Sequence, residues 1–269
     1  MNGFKFTLLP LIILFTPLLA FAQQWQGEYT YGPFEIYVNV DINKVSPTLE
    51  QIAALDGELT ARFQLPEIKE KIKLYIFPDV EAYNAFIQKK YRDAPQRRAL
   101  FAMEKGKPGK IFTFLHPDFA DDLRHECVHA LLHARIGRLP IWIDEGLAEF
   151  FEVPPAERNT KDPYFGQIKR NVSLNLFSPV PDLKKLEAIT DMNRFQEKNY
   201  RDAWAWMNFL LNDPQRQKIV ADYLTACKNH PETEKEKNAF PSFFEGITSA
   251  LPDYKSGYKA YWKGIKKEK

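Results

Sequence analysis

Residues His125–Glu152 read HECVHALLHARIGRLPIWIDEGLAEFFE. Two apolar patterns of helical period lie on either side of a break at Gly137 and Leu139-Pro140. Both carry ionisable groups where a helix would turn its face inward. The periodicity predicts one helix over 119–136, with Asp118 as a cap and Gly137 as a stop, and a second over 141–151. Two histidines and several carboxylates in such a setting need partners, because an unpaired buried polar group is costly.

His125-Glu126-Cys127-Val128-His129 fits the pattern H-E-x-x-H. Residues four apart share one helical face, so both imidazoles can reach a single ion. Glu126, displaced by one position, cannot easily share the coordination sphere, but it can take a proton from a water at the metal. A third protein ligand is required, and His133, Asp144 and Glu145 are the downstream candidates. His133 continues the same straight helix and drifts roughly 40° and 6 Å from the focus of the first pair. Arg135 stands where a third histidine would be in the metzincin arrangement, which excludes that arrangement.

Trp142-Ile-Asp-Glu-Gly-Leu-Ala-Glu-Phe150 resembles the W-x-x-E-G-x-A segment of the gluzincin metallopeptidases, and the chain as a whole is most similar to their bacterial peptidase MA-like group of exported proteins. The resemblance is strong over His125–Phe151 and faint elsewhere. It implies a zincin-like α+β fold and one Zn2+ ion held by His125, His129 and Glu145. Glu126 would be the general base of peptide-bond hydrolysis. It also implies that Tyr200, at the start of a later helix, steadies the oxyanion. The strand over 110–115 would be the edge strand that pairs with an extended substrate. Glu149, one turn past Glu145, would accept the second ring N–H of a ligand histidine, with Glu152 as its competitor. Glu104 has a weaker likeness to the residue with which aminopeptidases hold a free amine.

Outward from this centre, 35–40 and 71–77 alternate like strands, and Arg98–Met103 is another candidate before the turn at Gly106–Gly109. Helices are predicted over 48–63 and from Asp79 to about Lys89, then at 182–190, 200–211, 214–228, 241–250 and 252–264. The proline-rich stretch 153–181 lacks clear periodicity and reads as an active-site flap or a mobile insertion. The expected organisation is a leader over 1–22, an α+β subdomain over 23–117 with the edge strand, and a helical subdomain over 118–269 carrying the metal site.

Lys5 is the only charge in the first 22 residues, Phe6–Leu19 is almost wholly apolar, and Ala20-Phe-Ala22 offers a cleavage pattern. The chain is therefore expected to be exported, to the periplasm or beyond, with no stable membrane insertion after cleavage. With 37 basic and 35 acidic residues among 269, it carries no excess of charge that would point to nucleic acid. The expected partner is a peptide or protein substrate. Cys127 and Cys227 could form a disulfide in an oxidising compartment or remain buried thiols. Two other functions fit the same residues: a non-peptide zinc hydrolase, and a scaffold that kept the fold and lost catalysis.

Overall fold

The computed structural model describes residues 25–92, 94, 96–104, 107–160, 164–175, 179–230 and 240–266. The expected leader over 1–22 lies outside them. Five strands come first: β1 (Gly27–Tyr31), β2 (Phe34–Val38), β3 (Ile72–Phe77), β4 (Ala99–Ala102) and β5 (Lys110–Phe114). They form one mixed sheet in the order β1-β2-β3-β5-β4. The β2–β3–β5 core is parallel, and β1 and β4 flank it antiparallel. Helices α1 (Ser46–Phe63) and α2 (Val80–Lys90) lie between successive parallel strands, as parallel pairing requires.

Strand alternation separates the two faces. Ile72, Leu74 and Ile76 join the main core, whereas Phe77, Phe112 and Phe114 pack with Tyr83 and Ile87 of α2 in a smaller cluster. Register pairs Tyr37 with Tyr75 and Tyr75 with Phe112, and the rings stack at 5.0 Å in both pairs. A one-residue slip would separate every ring of this ladder, so the aromatics fix the register.

The remainder is helical: α3 (Phe119–Ile136), α4 (Ile141–Phe151), α5 (Tyr164–Ser173), α6 (Leu183–Glu187), α7 (Glu197–Leu211), α8 (Pro214–Lys228), α9 (Phe243–Ala250) and α10 (Tyr254–Gly264). The molecule is thus α+β. One continuous hydrophobic cluster runs from Phe34 on the sheet to Trp262 on α10. Among the described residues no helix is long and apolar enough to cross a membrane.

Helix α4 is buried on nearly every side and lies between α3 and α7. Gly146 makes the close approach to α7 possible: a Cβ there would stand 3.1 Å from the Ala203 carbonyl oxygen and 3.0 Å from Met207 Cγ. Helix α3 ends at Gly137, whose φ of 90° suits glycine. Arg135 then ties α3 to α1 through the Pro66 carbonyl and the Asp56 carboxylate.

Three expectations need correction. The strand at 110–115 is not the edge: β5 lies inside the sheet and β4 is the edge next to α3. Asp118 does not cap α3 with its side chain, which is held by Arg98 instead. In the 153–181 stretch, a subset of the described residues is packed into the core. Helix α5 buries Phe165, Ile168 and Val172, and Arg158, 5% exposed, bonds to Glu58 and to the Val153 carbonyl. Strand β1 is an addition, since its residues are exposed or half-buried and show no alternation. Cys127 and Cys227 are free, buried thiols.

Candidate metal centre

Packing of α4 against α3 decides the site. His125 and His129 project from one face of α3, and Glu145 comes from the second turn of α4. Glu145 Oε2 lies 3.4 Å from His125 Nε2 and 3.7 Å from His129 Nε2. Three ligand atoms each about 2.1 Å from a tetrahedral ion lie roughly 3.4 Å from one another. These three residues are therefore positioned to bind a metal ion. Their donor set of two imidazoles and a carboxylate suits a first-row divalent cation.

The far sides of both rings meet carboxylates. His125 Nδ1 is 2.7 Å from Glu152 Oε2. His129 Nδ1 is 2.9 Å from Asp144 Oδ1, close enough for an ion pair but without the direction of a hydrogen bond. The other oxygen of Asp144 receives His133 Nε2 at 2.8 Å. Glu152, rather than Glu149, is thus the partner of the His125 ring. Glu149 belongs to the same group, with an oxygen within 4.8 Å of the ligand atoms of His125 and Glu152. Asp144 and His133, the rival candidates for third ligand, form a second layer behind His129.

This setting is strongly negative. Burial alone would lower the His125 pKa, but its hydrogen bonds to the Glu145 and Glu152 carboxylates outweigh it and push the value up to about 10. For His129 burial is likewise outweighed, by the charges of Asp144 and Glu145, and its pKa stands well above the ordinary range. Burial would raise the Glu145 pKa, yet the two rings hold it down at about 2. The centre favours positive charge, which a metal cation supplies.

Glu126 is buried, and its Oε2 accepts the backbone N–H of Phe101 on β4 at 2.7 Å. The edge strand thus fixes the carboxylate beside the histidines and leaves Oε1 available for chemistry. Tyr200 is half-buried in the first turns of α7, whose N-terminus is set by a reciprocal capping box between Gln196 and Asn199. Burial, then the charge of Glu145, pushes the Tyr200 pKa up to about 12. Arg97 hydrogen-bonds to it and partly counters that rise. The charge of Glu145 is thus felt at Tyr200, whose ring packs on Phe195 at 4.9 Å. Glu104 is engaged by Lys107 and Lys110 at the strand turn, which leaves no free carboxylate there for an amine.

Three further residues contribute that the sequence did not single out. Arg124 donates to the Glu152 carbonyl at the end of α4 and so holds Glu152 against His125. Arg97 reaches Tyr200 from the segment before β4. The Tyr164 hydroxyl, its pKa raised by burial, also feels the charges of Glu149 and Glu152.

A protein-family model described as a protein of unknown function (DUF1570) matches residues 120–232. The match takes in α4, α7 and α8 and nearly all of α3, hence each candidate ligand and Tyr200. No curated protein matches the chain.

Proposed function

We propose that this chain is a zinc-dependent metallopeptidase of gluzincin type with a zincin-like fold, acting outside the cytoplasm after removal of residues 1–22. The observation that carries the reading is the convergence of His125 Nε2, His129 Nε2 and Glu145 Oε2 at 3.4 and 3.7 Å, with Glu126 fixed next to them by the edge strand. His125, His129 and Glu145 would hold the ion. Zinc at such a centre makes a water acidic near neutral pH and polarises a carbonyl.

The chain's own groups supply the rest. An extended peptide can add along the outer edge of β4, where the Phe101 N–H is already held by Glu126. Glu126 takes the proton of the attacking water on the oxygen not engaged by Phe101, then delivers it to the leaving amine nitrogen. The Tyr200 hydroxyl keeps its proton at neutral pH, because its pKa is near 12, and donates to the oxyanion of the tetrahedral intermediate. Glu152 and Asp144 orient the two rings from behind.

Metal analysis of the purified protein beside Glu145→Ala and Glu126→Gln tests this. Glu145→Ala should lose the metal. Glu126→Gln should keep it and lose at least about 100-fold in kcat on a peptide substrate. Full activity in Glu126→Gln, or a metal content near zero in the wild type, would remove the reading.

A further inference from the structure

Beyond the metal centre, a cavity of about 510 Å³ opens beside the end of the edge strand. That is within the size range of pockets that take small organic groups. Its apolar lining includes Ile68, Phe101, Met103, Pro108, Ala130 and Ala134. The charges at its rim, Glu67, Lys69, Glu70, Lys107 and Lys228, are exposed and of both signs. Within it, Arg135 is already engaged by Pro66 and Asp56, and His133 by Asp144. No uncommitted buried charge is left there to select a charged group.

Two residues link the cavity wall to the centre. Ala130 lies four residues after Glu126, hence on the same face of α3 and about 6 Å further along it. Phe101 belongs to both: its N–H holds Glu126, and its ring lies 5.5 Å from that of His133 at the cavity wall. Gly109 permits this placement, since a Cβ there would stand 2.7 Å from Phe101 Cε2. An extended peptide advances about 3.3 Å per residue. A substrate on β4 would therefore bring a side chain one or two residues from the cleaved bond to the cavity mouth.

We infer that this cavity is the specificity pocket of the site and selects a large apolar or aromatic side chain next to the scissile bond. The inference rests on the peptidase reading. It is tested with the full chain, loaded with zinc, on a fluorogenic peptide library varied at two positions on each side of the bond. At one position kcat/KM for Phe or Leu should exceed that for Ala at least tenfold. Ala134→Trp, a substitution at an exposed position that fills the cavity, should reduce that ratio to about twofold. Met103→Ala, which deepens it, should raise Trp relative to Phe at the same position. Cleavage without a preference, or ratios unchanged in both variants with native circular dichroism, overturns the pocket assignment and leaves the peptidase reading intact. Zinc-loaded wild type that cleaves no peptide overturns the peptidase reading, and the pocket's role with it.

Discussion

The chemistry of this protein rests on a few side chains whose neighbours fix what they can do. His129 is the clearest example, with Glu145 at Nε2 and Asp144 at Nδ1, while Asp144 is itself tied to His133. A carboxylate behind a ligand ring fixes its orientation and raises its basicity, and losing it typically weakens metal binding 10- to 100-fold. Asp144→Asn should lower zinc affinity by about that factor, measured by competition with a chromophoric chelator, without unfolding the protein. Unchanged affinity would mean that His129 is oriented by packing alone.

Helices bring these residues together, so small changes between elements should be felt at the site. Gly146→Ala would push a methyl group against the Ala203 carbonyl and Met207, and overpacking of this kind costs about 1–3 kcal/mol. A lowered Tm is expected, read by thermal melts, since α4 and α7 cannot keep their spacing. Glu58 on α1 makes a different link: it accepts from Arg62 at 2.8 Å and from Arg158 at 2.5 Å, joining α1 to the segment after α4. Burial would raise its pKa, but Arg158 and then Arg62 bring it below the ordinary carboxylate value. A folded-state pKa lower than the unfolded one stabilises fully above pH 4.5 and fades as the pH falls through the depressed value. The stability gap between wild type and Glu58→Gln, from urea melts, should therefore be constant at pH 6–7 and shrink below pH 4.5.

At the scale of the molecule, one core joins sheet and helices, and α5 is part of it. Ile168, 4% exposed, packs within the main cluster, and Phe165 lies 6.1 Å from Trp262 of α10. Ile168→Ala should cost about 2–5 kcal/mol of unfolding free energy, as for other buried aliphatic truncations. A loss under 0.5 kcal/mol in denaturant melts would show instead that α5 is a detachable cover.

The sequence by itself determined what lies within single elements. The bounds of α3 and α4 follow from apolar spacing, and the shared face of His125 and His129 follows from the helical period. The strands that alternate between two buried faces were legible for the same reason. Strand β1 was not, because none of its residues is fully buried, and α5 was not, because its Phe165, Ile168 and Val172 are a short signal among prolines. The tertiary structure alone decided relations between elements. It placed β4 rather than β5 at the edge, set Glu152 rather than Glu149 against His125, and put Asp144 and His133 behind His129. A local repeat fixes which way a side chain leaves its own helix or strand. Which partner it meets depends on the packing distance and crossing of two elements, which arise from contacts between residues far apart in the chain.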